Sequence, residues 1–441
     1  MNATSSNFYQ YFILGLFLES SFTVPTSNDS FSVDNRTSEP LLGKKERETI
    51  PRLLEHEVTP RLVITDSFDW SGTGKGKHVD FGPDETLPLD IGRQLGRGAT
   101  GDVHETKIRN VAVAVKQRHL FRTIPDSAPF KREMSNLERL SGHDHIVKIV
   151  GSFTHNRIIG LLIWPVAICD LRTFLDDLDK WPPVVQFDMV SISKEGLVDF
   201  IGSERVRRFE SLHVLVPTSI DGKIEYDLEN GVYSRIDQAF GCLSGALAYV
   251  HGQKIKHKDL KPQNILMTAD NIYITDFGTS TDFGASVASE TENGIRGTPK
   301  YFAPEVAAYL PSGRSADVFS LGCIFLEMVY VICPIPLQEL ERRLPDRDHS
   351  YHANLGRVSE WIDHLWGQDT HVDPGDLLFW VKRMLQHNPR ERPRTSVVFK
   401  MLRDEQVTSS SSYRYHDGVE REIYHEYVLC GACCQDLVIL E

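Results

Sequence analysis

The stretch that decides the fold of this 441-residue chain is HKDLKPQN at residues 257–264, followed after two short β-like runs by an Asp-Phe-Gly triplet that begins at Asp276. Transfer of a phosphoryl group requires a residue that positions the attacking hydroxyl, a cation that offsets developing charge, and oxygen ligands for magnesium. Asp259 and Lys261 meet the first two requirements. The pair formed by Asn264 and Asp276 meets the third.

A glycine-rich string, GRGATGDV, lies upstream at residues 96–103. Glycine has no Cβ, so backbone N–H groups in such a turn can approach phosphate oxygens closely. Alone, the string is equally consistent with an ordinary glycine-rich hairpin. The positions expected to face a nucleotide are Gly96, Gly98, Gly101 and Val103.

A lysine on the next strand but one could reach the α- and β-phosphates if a carboxylate held its ammonium in place. Lys116 ends the run Ala-Val-Lys that begins at Ala114, and Glu133 lies on the helix predicted next. Glu138 lies nearer the end of that helix and would reach the nucleotide less easily. A single Lys and Glu are usually solvated surface charges, so this pair indicates a nucleotide site only together with the other motifs.

These motifs and an Ala-Pro-Glu triplet at residues 303–305 occur in the order found in eukaryotic-type protein kinases, which the chain resembles over residues 87–403. The resemblance implies an α+β, bilobal fold. Its N-lobe (87–165) would contain five antiparallel strands plus one helix, and its C-lobe (166–403) would be larger and mainly helical. It further implies that ATP and Mg²⁺ bind in the cleft between the lobes and that proteins accept the phosphate.

The same resemblance assigns supporting residues around the nucleotide. Ala114 would contact ATP from the N-lobe. In the hinge between the lobes, Pro165 has no N–H to donate, so Val166 is expected to bond the adenine through its backbone. Asp170 would accept a hydrogen bond from the ribose.

Further structural roles follow from the resemblance. Asp317 would brace the loop that contains Asp259, and Arg392 would pair with Glu305. In the activation segment, the hydroxyl of Thr298 would bond the residues of that loop. Together with Lys261, this threonine is typical of serine/threonine kinases, and tyrosine kinases usually differ at both positions.

Two features of the sequence leave alternatives open. A second Asp-Phe-Gly begins at Asp282, but a predicted strand at residues 271–275 leads into Asp276, so we assign the metal to the first copy. The family's usual arginine before the catalytic aspartate is Lys258, which lacks the planar fork that grips a phosphate. Control by phosphorylation of the activation segment is therefore in question. Its candidate acceptors are Ser286, Ser289 and Thr291.

Alternative functions also need consideration. A pseudokinase would keep the fold as a scaffold or binding module, but it usually lacks the lysine, the catalytic aspartate or the metal aspartate. An adaptor role would instead place the main function in an insertion at about 181–231 and in the tails. Related small-molecule phosphotransferases generally lack the Ala-Pro-Glu triplet.

Composition limits the partners and the compartment. The net charge of −13 argues against nucleic acid as a principal partner. The 7 cysteines show no disulfide framework, which favours an intracellular, cytoplasmic protein. The apolar run at residues 12–17 is too short to span a membrane, so we expect no transmembrane segment.

Residues 1–86 are predicted to be a flexible extension, and residues 404–441 a tail. The tail contains Cys430, Cys433 and Cys434, and disorder is a better interpretation of it than zinc binding or attachment of a lipid.

Overall fold

The computed structural model describes residues 48–49, 64, 68–98, 101–119, 128–180, 193–220, 223–227, 229–283, 297–332, 348–366, 375–407, 412–416 and 419–423. All the described residues belong to one compact unit, Arg47–Glu441. The candidate acceptors Ser286, Ser289 and Thr291 and the three terminal cysteines lie outside the described residues.

Short strands dominate the first part of the chain and helices the second. The strands are β1 (Glu48–Thr49), β2 (His78–Asp80), β3 (Gln94–Gly98), β4 (Gly101–Ile108), β5 (Val111–His119), β6 (Lys148–His155), β7 (Ile158–Trp164), β8 (Cys169–Asp170), β9 (Val216–Ile220), β10 (Lys223–Asp227), β11 (Ile255–Lys256), β12 (Ile265–Met267), β13 (Ile272–Ile274), β14 (Thr281–Asp282), β15 (Ser412–His416) and β16 (Val419–Ile423). The α-helices are α1 (Ala128–Arg139), α2 (Leu171–Leu178), α3 (Lys194–Ile201), α4 (Ser203–Ser211), α5 (Glu229–Gly252), α6 (Pro304–Ala307), α7 (Arg314–Ile332), α8 (Val358–Trp366), α9 (Gly375–Met384) and α10 (Thr395–Val407).

The N-lobe is built on one sheet with the strand order β2-β6-β7-β5-β4-β3. Its five predicted strands pair antiparallel, and α1 contacts β6. Side chains alternate between the two faces of a strand. Along β5 this alternation sends Val113 and Val115 to one face and Lys116 to the other. The predicted bilobal α+β fold is therefore confirmed.

A sixth strand, β2, was not predicted. It pairs parallel with β6, with His78 opposite Ser152. The segment around it is part of the N-lobe core, because Phe68, Trp70 and Phe81 are buried there. The prediction of a flexible extension as far as residue 86 is therefore wrong for residues 68–86. The physical reason is that β5 carries apolar residues on both faces, so the face of the sheet away from α1 must be covered as well.

The C-lobe core is formed by the long helices α5 and α7, with α9 and α10 packed against them. The segment predicted as an insertion has structure of its own here. Buried Leu197 and Phe209, on α3 and α4, belong to the C-lobe core. In addition, the buried carboxylate of Asp177 accepts hydrogen bonds from Arg205 and Arg208 of α4. Because buried charges need such partners, these contacts fix α4 to α2. None of the helices described is long and apolar enough to cross a membrane.

Candidate active site

The glycine-rich hairpin joins β3 to β4, and Gly98 faces Gly101 across it. Gly101 has φ +145°, and a Cβ there would lie 2.2 Å from the carbonyl oxygen of Gln117 on β5. Only glycine fits that backbone conformation without strain. At Gly96 a Cβ would meet nothing within 4 Å. The packing of the hairpin thus requires Gly101, whereas the space beside Gly96 is open.

Lys116 lies between two carboxylates. Its Nζ donates to Glu133 Oε1 at 2.8 Å, to Glu133 Oε2 at 2.9 Å and to Asp276 Oδ1 at 2.9 Å. Burial alone would lower the pKa of Lys116, but the two carboxylates raise it to about 12. Burial alone would likewise raise the pKa of Asp276, yet the Lys116 ammonium holds it below its usual value. The lysine is therefore a fixed cation, and Asp276 stays ionised beside it.

Asp259 is held by hydrogen bonds from Thr298 and Lys261. Its Oδ1 accepts from the backbone N–H and the hydroxyl of Thr298, both at 2.8 Å. Its Oδ2 accepts from Lys261 Nζ at 2.9 Å, and Lys261 also donates to the Thr298 hydroxyl at 2.8 Å. Gly297 permits this approach, because a Cβ there would lie 2.6 Å from Asp259 Oδ1. The sequence analysis did not identify this role of Gly297.

Asn264 and Asp276 come together through the backbone. The carbonyl oxygen of Asn264 accepts from the N–H of Thr275, 3.0 Å away, the residue directly before Asp276. The Asn264 amide nitrogen donates to the carbonyl oxygen of Asp259 at 2.8 Å, which leaves the amide oxygen as the atom suited to a metal. Magnesium is usually bound by one or two protein oxygens together with phosphates. One carboxylate, that of Asp276, and the amide oxygen of Asn264 fit that pattern.

The loop that contains Asp259 is held in place by hydrogen bonds to Asp317. Asp317 accepts from the backbone N–H groups of His257 at 2.9 Å and Lys258 at 2.8 Å, and from His251 Nε2 at 3.0 Å. The ring of His257 packs edge-on against Phe277, with centroids 4.7 Å apart. Asp317 therefore fixes the loop, and His257 connects that loop to the residue next to Asp276. Sequence reasoning did not identify this part for His257.

One further predicted contact is present in the C-lobe, and the two hinge-region residues have the following positions. Arg392 forms a bidentate pair with Glu305, at 2.7 and 2.8 Å. In the hinge, Val166 follows Pro165 after β7. Asp170 Oδ1 accepts from the backbone N–H of Thr173 at 2.8 Å and so caps α2. That carboxylate therefore has a helix-capping role in addition to the ribose contact expected of it.

The second Asp-Phe-Gly copy lies elsewhere. Asp282 is exposed and pairs with Arg139 of α1 at 2.7 Å, whereas Asp276 contacts Lys116. Asp282 belongs to the short strand β14, which pairs with β11. The buried ring of Phe283 has the cations of Lys256 and Arg314 over it. The two copies thus occupy different environments, and only the first reaches the Lys116 ammonium.

Comparison with known proteins identifies what this chain is similar to. The family model described as "Protein kinase domain" matches residues 211–402. Serine/threonine-protein kinase fused of Drosophila melanogaster is 33% identical over 146 residues, which are 32% of this chain and 18% of the relative. For 3-phosphoinositide-dependent protein kinase 1 of Homo sapiens the identity is 40% over 90 residues, 20% of this chain and 16% of the relative. For serine/threonine-protein kinase PAK 5 of Rattus norvegicus it is 39% over 134 residues, 28% and 18%. The matched parts therefore span less than a fifth of the length of each of these relatives.

Proposed function

We propose that this chain, which carries a eukaryotic-type protein kinase domain of the serine/threonine kind, transfers the γ-phosphate of ATP to serine and threonine hydroxyls of protein substrates. Kinase domains of this family use ATP and a divalent metal, and Mg²⁺ is the metal proposed here. The observation that carries the proposal is the Lys116 ammonium, held by Glu133 and Asp276 in the cleft that also contains Asp259.

The residues would divide the chemistry as follows. Lys116 would orient the α- and β-phosphates of ATP. Asp259 would position the acceptor hydroxyl and take its proton while the hydroxyl oxygen bonds to the γ-phosphorus and the bond to the β,γ-bridging oxygen breaks, leaving ADP. The ammonium of Lys261 would offset the negative charge that develops. Asn264 and Asp276 would hold Mg²⁺, which when bound neutralises charge on the phosphates.

Two residues support serine and threonine as the acceptors. Lys261 reaches both Asp259 and Thr298, and Thr298 in turn bonds Asp259 through its hydroxyl and its backbone N–H. Thr298 is thereby fixed beside Asp259. This combination is the one that resembles serine/threonine kinases and departs from tyrosine kinases.

A peptide library with serine, threonine and tyrosine acceptors tests the proposal. The purified full chain, with Mg²⁺ and γ-labelled ATP, is expected to label serine and threonine peptides and to leave tyrosine peptides unlabelled. Labelling of tyrosine alone would contradict the acceptor class. ATP binding without labelling of any peptide would instead favour a pseudokinase.

Lys258 leads to a prediction about the activation segment. Its single ammonium can attract a phosphate but cannot clamp it as a guanidinium does. In addition, burial lowers the pKa of Lys258, with Asp317 opposing and Arg132 adding to that effect. We therefore expect a variant with Ser286, Ser289 and Thr291 all changed to alanine to keep most of its activity.

The control for this prediction is Lys258→Arg, which should make activity depend more strongly on phosphorylation of the segment. The parent chain and Lys258→Arg are compared before and after phosphatase treatment, and circular dichroism verifies the folding of every variant. A loss of about a hundredfold in the folded triple variant, which corresponds to roughly 2.7 kcal/mol, would show that the segment is an ordinary phosphorylation switch.

A further inference from the structure

Residues Phe68–Thr86, here termed the clasp, have a fixed structure of their own. The carboxylate of Asp69 accepts from the backbone N–H groups of Ser71 at 3.2 Å, Gly72 at 3.1 Å and Gly74 at 2.7 Å. Gly72 and Gly74 have φ +70° and +75°, a conformation that favours glycine. Because Asp69 already occupies these N–H groups, the turn closes the segment on itself and is not an anion site.

The clasp is fitted to the edge of β6 by a tryptophan. A Cβ on Gly151 would lie 2.3 Å from Cδ1 of Trp70, so glycine is what lets the indole lie against the strand. The indole N–H donates to the carbonyl oxygen of Lys77 at 2.9 Å. Phe81 and Phe153 pack against the ring, with centroids 6.1 and 6.0 Å away. Trp70 thus fixes the residues that lead into β2.

From β2 the clasp reaches α1. His78 Nε2 lies 2.9 Å from Glu138 Oε1, and His78 Nδ1 lies 2.8 Å from the hydroxyl of Ser152. That hydroxyl contacts the sulfur of Met134 at 3.5 Å. Met134 directly follows Glu133 in the chain. Two residues in the C-terminal half of α1, Met134 and Glu138, are therefore joined to the sheet edge that the clasp extends.

We propose that the clasp holds α1 where Glu133 reaches Lys116, with Trp70 and His78 as positioning residues for phosphoryl transfer. This inference rests on the proposed function only in the experiments that measure phosphoryl transfer. Glu133 reaches Lys116 from α1, and α1 also contacts the turn Phe277–Thr279 directly after Asp276. A displacement of about 1 Å away from productive geometry can cost on the order of a hundredfold in rate. A small shift of α1 would therefore affect the positions of both carboxylates that bind Lys116, those of Glu133 and Asp276.

The first test changes the contact between the clasp and α1. His78→Ala is expected to lower kcat about two- to fivefold, because it removes one exposed polar contact, and His78→Gln to restore part of it because its amide can still donate. The double variant with Glu138→Ala should lose no more than either single variant, since the two residues act on each other. Asp80→Ala is the matched control, because it removes a contact from β2 to Thr154 and leaves α1 untouched.

The second test removes the side chain of Trp70, which holds the clasp against β6. Trp70→Ala is expected to lower kcat about tenfold or more and to speed hydrogen exchange of the α1 amides, since that helix would open more often. Trp70→Phe keeps a ring should the alanine variant not fold. Lower melting temperatures with unchanged kcat and unchanged α1 exchange would overturn the proposal and leave the clasp as a cover for the sheet. If the parent chain transferred no phosphate, the proposed function would fail, while α1 exchange would still test the clasp.

Discussion

Asp276→Asn is expected to lower kcat by more than about a hundredfold, because it removes a charged metal ligand where metal stabilisation is worth several kcal/mol. The amide has nearly the same volume as the carboxylate. Lys116 also keeps its two hydrogen bonds to Glu133, so the fold should survive. The measurement is transfer of labelled phosphate to a peptide across a range of Mg²⁺ concentrations.

The second Asp-Phe-Gly copy provides the matched control. Asp282 is exposed and pairs with Arg139, and exposed pairs contribute at most about 1 kcal/mol. Asp282→Asn should therefore keep kcat within about fivefold of the parent and leave the dependence on Mg²⁺ unchanged. If Asp282→Asn abolished transfer while Asp276→Asn spared it, the assignment of the metal to the first copy would be wrong.

Lys116→Met is also expected to lower kcat by at least about a hundredfold, as removal of a single preorganised charge donor does in other enzymes. Methionine has a similar length, so it should fill the space between Glu133 and Asp276. Burial already raises the pKa of Glu133 against the effect of Lys116, so without the lysine this carboxyl can take up a proton. The cost in stability should therefore be limited, and thermal unfolding beside the transfer assay verifies it.

Glu133→Gln separates orientation from charge in the same site. It leaves Lys116 bonded to Asp276 but removes the carboxylate on α1, so its loss of activity should be smaller than that of Lys116→Met. Turnover of a folded Lys116→Met protein within a few-fold of the parent would exclude the proposed role of the lysine.

The candidate site could be predicted because its residues occur in short strings whose chemistry is readable. Lys116 was predicted to pair with Glu133 and not Glu138, and the structure shows that contact. Glu138 instead faces His78, at the far end of α1. The bracing by Asp317 and the Glu305–Arg392 pair likewise match the expected partners. In each case the motif fixes the residue type, and the fold brings the distant strings together.

The clasp could not be predicted, because parallel pairing between β2 and β6 joins residues far apart in sequence and leaves no local pattern. A strand of three residues is also too short to show alternation. The available signal was indirect: the run VAVAV at residues 111–115 is apolar on both faces, and a sheet exposed to water on one side would not need that. The reason for a glycine at position 151 is evident only from the structure, in which Trp70 packs against it.

The central claim is that this chain transfers phosphate and does not merely bind ATP, and comparison of the parent chain with Asp259→Asn tests it most directly. The asparagine can still accept hydrogen bonds from Thr298 but is a far weaker proton acceptor. With γ-labelled ATP and a serine or threonine peptide found by the library, the parent is predicted to label the peptide. The variant should bind ATP with similar affinity and transfer at least about a hundredfold more slowly. Equal transfer by both proteins, or ATP binding without any transfer by the parent, would contradict the account.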